Sequence, residues 1–212
     1  MLNAFYTEYE MTKGKFIVFE GIDGAGKTTQ IELLASKLTA MGESVHVTAE
    51  PTTNESGKAL RRALSGKEKK SECEMAAMFV LDRIGHNAQI NELTDAGTTV
   101  ISDRYYYSNL AYQGMSTDYA WVRKMNIDCP EIRRPDACIY LDLTPEESLA
   151  RISKGRESVE IYENLEKLTE VRNAFYTAIE DLRGDGEKIF IVSANRTVEE
   201  ISNEIFGIIR NI

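Results

Sequence analysis

The segment Gly21-Ile22-Asp23-Gly24-Ala25-Gly26-Lys27-Thr28 constrains this chain more than any other. It matches the pattern G-x-x-x-x-G-K-[ST], in which a strand delivers the chain to a glycine-rich turn and a helix begins straight after it. Both flanks are present: the apolar run Lys15–Glu20 (KFIVFE) precedes the loop, and helical spacing of apolar residues follows from Lys27. The glycines let the backbone curl so that successive N–H groups face one anion, and the helix adds its positive end. Gly21, Gly24, Ala25, Gly26, Lys27, Thr28 and Thr29 are thereby expected to cradle the phosphates of ATP. Lys27 reaches the β- and γ-phosphates, and Thr28 offers its hydroxyl to magnesium. Composition alone would produce the pattern in on the order of one chain in a hundred of this length, so the flanking strand and helix carry the weight.

The remainder alternates strand and helix, which predicts the α/β class: a parallel β-sheet with helices on both faces, of P-loop NTPase type. Helix is expected over Lys27–Met41, with Ile31, Leu34, Ala35 and Leu38 on one side and Gly42 ending it. Ser44–Ala49 reads as a strand, and Glu55–Leu64 as a short helix. A long helix spans Glu72–Ala96, opened by a Ser71/Glu74 capping box. Its apolar residues spread over much of the circumference, so it is expected to be buried on more than one side, one side facing a second subunit. Strands follow at Thr98–Ser102, Ala137–Asp142 and Lys188–Val192, with helices at Asp118–Ile127, from Thr144-Pro145-Glu146-Glu147 onward with Thr144 and Glu147 as its capping pair, at Glu163–Leu182, and at Thr197–Arg210 with Thr197 and Glu200 as its capping pair. The polar stretch Lys154–Glu160, around Gly155, should loosen the helix before it.

Composition narrows the partners. A chain of 212 residues with 42% hydrophobic and 28% charged residues is ordinary for a globular protein. The net charge of −9 argues against broad binding to nucleic acid. A local basic pocket for a small anion remains open. Cys73, Cys129 and Cys138 form neither a metal-type pair nor a disulfide framework, which fits a cytoplasmic protein. No apolar run reaches membrane-spanning length. Residues 1–12 read as an N-terminal tail outside a single domain over 13–212, with Met11 an alternative start. Deleting that tail is expected to leave activity unchanged.

Beyond the loop, an ordered set of segments resembles the thymidylate kinases, nucleoside monophosphate kinases of the P-loop group. The set comprises Phe19-Glu20-Gly21 through Thr29-Gln30; Glu50-Pro51; Phe79 with Asp82-Arg83; Asp103-Arg104-Tyr105 followed by Ser108 and Ala111-Tyr112-Gln113-Gly114; and Pro135-Asp136 leading to Tyr140-Leu141-Asp142. The resemblance runs from about Lys15 to Ile212. It implies transfer of a phosphoryl group from ATP, with magnesium, to dTMP, and a homodimer. It assigns Phe79 and Arg83, four apart on one helix face, to the thymine ring. Arg104 goes to the acceptor phosphate, Asp103 to the magnesium shell, and Tyr112 and Gln113 to the deoxyribose and base. Asp23 lies near the sugar 3′-hydroxyl or the metal, and Glu50 faces the acceptor.

Two departures matter. Ala49 stands where many relatives carry Arg before Glu-Pro, so acceptor-phosphate contacts are fewer or another cation such as Arg61 helps. Ala25 leaves the loop without an arginine, a type in which a lid around residues 151–160 supplies transition-state charge. Arg151 and Arg156 are the catalytic candidates there, ahead of Lys154, because a guanidinium holds two oxygens at once. Rival readings are a P-loop kinase with a different acceptor and a non-enzymatic nucleotide-binding relative. A switch GTPase would need an Asn-Lys-x-Asp segment, which the chain does not contain.

Overall fold

The computed structural model describes residues 13–152 and 165–212. Among these, five parallel strands form one sheet in the order β2-β3-β1-β4-β5. They are β1 (Phe16–Glu20), β2 (Val45–Ala49), β3 (Thr99–Asp103), β4 (Ala137–Asp142) and β5 (Ile189–Ser193). Parallel strands need crossovers that cover both faces, so the central strands read as continuous apolar runs. β1 is buried at every position, and its side chains divide by the period of two. Phe16 and Val18 join Val100, Cys138 and Tyr140 on one face. Ile17 and Phe19 join Ile101, Ile139 and Leu141 on the other.

Helices cover each face as the alternation requires. α1 (Lys27–Ala40) and α8 (Val198–Arg210) bury Ile31, Leu34, Leu38, Ile201, Ile205 and Ile209 against the second face. The first face is covered by α3 (Glu72–Asp95), α4 (Tyr106–Ser116), α5 (Tyr119–Ile127) and α7 (Leu165–Gly184). α2 (Glu55–Leu64) packs on α3, and α6 (Pro145–Ile152) on α7. The three capping pairs read from the sequence all close. Ser71 Oγ accepts from Glu74 N while the Glu74 carboxylate accepts from Ser71 N. Thr197 and Glu200, and Thr144 and Glu147, do the same.

Two elements differ from the sequence expectation. α4 was not anticipated, because its sequence carries no amphipathic stripe. Tyr106, Tyr107, Ser108, Asn109, Leu110, Ala111, Gln113 and Gly114 are all buried, leaving nothing to set a period, and tyrosines favour strands. α3 was expected to bury its apolar residues, but its buried positions include Asp82, Arg83, His86, Asn87 and Thr94, while Leu81 is 63% exposed. A polar stripe faces inward there beside the apolar positions Ala76, Val80 and Ile90, and buried polar groups of this kind need partners.

No helix among the described residues is long and apolar enough to cross a membrane. Replacing the Ser71 cap of α3 should show how far that helix depends on local signals. Ser71→Ala is expected to lower the unfolding free energy by about 1 kcal/mol, read from the shift of the urea midpoint at constant slope.

Candidate active site

The order β2-β3-β1-β4-β5 places a topological switch beside β1, and ligands in open parallel sheets bind off the strand ends at such a point. The glycine-rich loop leaves the end of β1. Gly21 has φ 142°, and a Cβ there would lie 2.6 Å from the Leu141 carbonyl oxygen, so the loop can pass under β4 only without a side chain. Gly26 is left-handed at φ 93° where it starts α1; a side chain would find open space there but not the conformation. Thr28 and Thr29 stand exposed on the first turn of α1. α6 roofs the loop, with Ser148 Oγ donating to the Asp23 carbonyl at 2.6 Å.

Lys27 is only 7% exposed, and its ammonium donates to the Gly21 and Ile22 carbonyls at 2.9 and 3.3 Å. Burial, joined by the nearby Arg104 charge, lowers its pKa from 10.5 to about 8; the carboxylates of Asp103, Asp23 and Glu20 pull the other way.

Below the loop lies a residue that entered the sequence reading only as a letter in a motif. Glu20 ends an otherwise apolar strand and is wholly buried. Its carboxylate accepts from the backbone N–H of Tyr105 at 2.8 Å and of Ser108 at 3.1 Å, and from Ser108 Oγ at 2.7 Å. Since Tyr105 precedes the first turn of α4, Glu20 caps that helix from another strand, with the sign its dipole favours. Burial raises its pKa, against the pull of Arg104, of the hydrogen bonds and of Lys27.

Arg104 joins β3 to α4 and holds φ 71°, a left-handed conformation rare for a long side chain. Its N–H donates to the Phe19 carbonyl at 2.9 Å, and its carbonyl accepts from Ser102 Oγ at 2.8 Å. The guanidinium bonds Ser108 Oγ at 2.9 Å and Asp23 Oδ1 at 2.5 Å, and lies 5.7 Å from the Tyr112 ring centre. Asp103, one residue earlier at the end of β3, has a buried Oδ1 with no hydrogen-bond partner among the described residues.

A cavity of about 290 Å³ opens beside this point. Asp23, Glu50, Phe79, Arg83, Arg104, Tyr112 and Gln113, the acceptor residues expected from the sequence, all line it. Arg83 is 1% exposed; its Nε and Nη2 donate to Glu50 Oε2 at 2.9 and 2.6 Å, and Nη1 to Asn126 Oδ1 at 2.5 Å. Glu50 therefore serves the cavity through Arg83, and its other oxygen meets His86 Nδ1 at 3.0 Å. Asp82, behind the wall, accepts from Thr52 N, Thr52 Oγ1 and Ser56 Oγ, fixing the turn after Glu50. His86, Asn109 and Asn126 were missed in the sequence; the signal was a pair of polar residues, Arg83 and His86, three apart and hence on one helix face.

Other expected cations lie elsewhere. Arg61 donates to the Pro51 and Thr52 carbonyls and does not line the cavity, so it pins a turn rather than replacing a phosphate contact. Arg151 is exposed on α6 and donates to the Gly24 carbonyl at 3.2 Å and the Ala194 carbonyl at 2.8 Å, bridging the loop to the chain after β5. Lys154 and Arg156 lie outside the described residues.

A phosphate loop joined through Asp23 and Arg104 to a cavity walled by an aromatic ring and a buried guanidinium is an arrangement for two ligands. Comparison with known proteins gives the same direction. Residues 19–205 match the family model described as thymidylate kinase. The chain belongs to the thymidylate kinase family. A probable thymidylate kinase of Methanococcus aeolicus is 40% identical over 195 residues, covering 90% of this chain and 93% of its own. One from Pyrococcus horikoshii is 37% identical over 207 residues, with 94% and 97% covered. One from Methanocaldococcus jannaschii is 35% identical over 203 residues, with 95% and 99% covered. Membership of the thymidylate kinases makes the chain a phosphotransferase.

The buried Lys27 generates a stability prediction. The unfolded chain keeps this proton up to about 10.5, whereas the folded protein releases it near 8, so the charged lysine opposes folding below pH 8. That deficit shrinks as pH rises from about 8 to 10.5. Lys27→Met should nearly abolish turnover yet raise the unfolding free energy of the nucleotide-free protein at pH 7 by about 1–3 kcal/mol. The difference from the parent should fade in urea titrations repeated toward pH 10.5.

Proposed function

We propose that this protein transfers the γ-phosphoryl group of ATP to the phosphate of dTMP, forming dTDP on the way to dTTP, with magnesium and as a homodimer. The observation that carries this reading is the single cavity joining Phe79, Arg83 and Gln113 to Arg104 and Asp23 beside the phosphate loop. Phe79 offers a ring face for a base, and Arg83 and Gln113 offer N–H donors to its carbonyl edge. Tyr112 takes the place beside the sugar, where its ring excludes a 2′-hydroxyl. Arg104, held at the end of β3, receives the acceptor phosphate through a planar fork that matches two oxygens.

The donors present suit magnesium. Asp103 has a buried oxygen without a hydrogen-bond partner among the described residues, and Thr28 presents a hydroxyl on the first turn of α1. No group of three or more His, Cys, Asp or Glu residues among the described ones could enclose a metal, which suits an ion held chiefly by phosphates and water. When bound, the ion neutralises charge on the β- and γ-phosphates.

The reaction then needs little covalent help from the chain. The acceptor phosphate is anionic near neutral pH, so no strong base is required. Backbone N–H groups from Gly21 to Thr28 hold the donor, Lys27 meets its β- and γ-oxygens, and Arg104 aligns the acceptor for in-line attack. Arg151 and Arg156 are proposed to bring further positive charge to the transferring group from the lid, since the loop carries Ala25 and no arginine.

A panel of nucleoside monophosphates with ATP and magnesium tests the acceptor. dTMP should be best, and dUMP weaker by about 1–3 kcal/mol in kcat/KM for the missing methyl group. A win for AMP or GMP sinks the reading. Arg104→Ala should raise the KM for dTMP and leave ATP affinity nearly unchanged; equal loss of both would put Arg104 in the wrong pocket.

Single substitution of Arg151 and Arg156 by Ala addresses the lid. The responsible arginine should lower kcat by about a hundredfold with a smaller change in KM, in steady-state assays on variants shown to be folded by circular dichroism. Values of kcat within a fewfold of the parent for both, and for Lys154→Ala, would place the charge outside this segment.

A further inference from the structure

We propose that His86 is a positioning residue for recognition of the acceptor base, acting through Glu50 on Arg83; the proposal rests on the acceptor reading above.

His86 is 1% exposed on α3 and does not line the cavity. Its Nδ1 lies 3.0 Å from Glu50 Oε1, and its Nε2 lies 2.9 Å from Thr48 Oγ1 on β2. A carboxylate paired with Arg83 has no proton to give, so Nδ1 carries the hydrogen and donates. Thr48 on one side and Glu50 on the other leave the ring no second orientation that keeps both bonds.

The polarity set at Glu50 travels onward without a break. Glu50 Oε2 takes two donors from Arg83, and Arg83 Nη1 donates to Asn126 Oδ1. That fixes the Asn126 amide, whose Nδ2 donates to Asn109 Oδ1 at 2.9 Å and to the Val122 carbonyl at 2.9 Å. Asn109 is fixed in turn, and its Nδ2 donates to Gln113 Oε1 at 3.1 Å. Arg83 and Gln113, which both line the cavity, are thus left with N–H groups to present and not oxygens. A ligand edge bearing carbonyl oxygens is what such a wall receives.

His86 matters because Glu50 has two ways to hold a guanidinium. With Oε1 engaged by His86, only Oε2 is offered to Arg83, and the fork is held at one angle. Without His86, Glu50 Oε1 is buried and short of a donor, and it turns to share Arg83. The guanidinium follows, and its free N–H leaves the direction of the base. A buried ion pair at the edge of a cavity is a weak source of stability, so its retention with a histidine behind it points to geometry as its use.

The test is steady-state kinetics on His86→Ala, His86→Asn and Thr48→Val, with circular dichroism and thermal melts on each. The parent is assayed first; a parent that ignores dTMP defeats the acceptor reading and not this inference. His86→Ala should raise the KM for dTMP at least tenfold, with kcat and the KM for ATP within threefold of the parent. His86→Asn keeps an N–H for Glu50 and should recover most of that loss. Thr48→Val frees the ring and should raise the dTMP KM by a smaller factor. A dTMP KM within twofold of the parent in folded His86→Ala overturns the inference. So does a parallel loss in kcat and ATP affinity, or a His86→Asn variant no better than His86→Ala. Should His86→Ala fail to fold, the other two variants decide: a raised dTMP KM in Thr48→Val at unchanged kcat supports the role, and none in either variant ends it.

Discussion

Everything at the active end of this sheet hangs on one buried carboxylate. Glu20 closes β1, the strand that delivers the phosphate loop, and takes the N-terminal N–H groups of α4, the helix that follows Arg104. Without a local cap, α4 would leave these donors unpaired in a dry interior. Glu20 supplies the partner from a different strand, so the helix and the loop share one anchor. The same anchor helps to explain how Arg104 tolerates a left-handed backbone: the residues on either side are tied to β1, by Arg104 N to the Phe19 carbonyl and by Tyr105 N to Glu20. The glycine-rich loop and Arg104 are therefore set relative to each other by fixed bonds and not by loop packing.

The second organising choice is the direction in which α3 faces. An ordinary surface helix buries apolar residues and shows polar ones to water. α3 turns Asp82, Arg83, His86 and Asn87 inward and leaves Leu81 outside. Each inward residue has a partner: Thr52 and Ser56 for Asp82, Glu50 for Arg83 and His86, and Tyr105 and the Arg133 backbone for Asn87. Satisfied polar networks of this kind fix side-chain orientations, which a face of leucines would not do for hydrogen-bonding groups.

How much of this was legible in the sequence follows from the range of each interaction. The glycine-rich loop, the strands and the three capping pairs are local signals, spelled within a few residues, and the structure places them as read. The ordered segments from Phe19 to Asp142 pointed to seven residues as a group, and one cavity gathers all seven. α4 stayed hidden because its cap, Glu20, is more than eighty residues away and because burial on every side erases the period. The polar face of α3 was legible only at Arg83: the spacing of Asp82, His86 and Asn87 was present, but the helix was read from its apolar residues. Arg61 looked like a free cation in the sequence and proved to be a clamp on backbone carbonyls. Side-chain roles that depend on a partner across the fold are not written in local spacing.

Lys27 and Arg104 hold two positive charges close enough in a dry pocket for one to depress the other's pKa. The fold tolerates that repulsion, and a bound anionic ligand would relieve it; the relief is part of the ligand's affinity and reaches the native state through ordinary mass-action linkage. The chain without a bound nucleotide is then the form most open to unfolding and proteolysis, and the ligand-bound chain the form best protected from both.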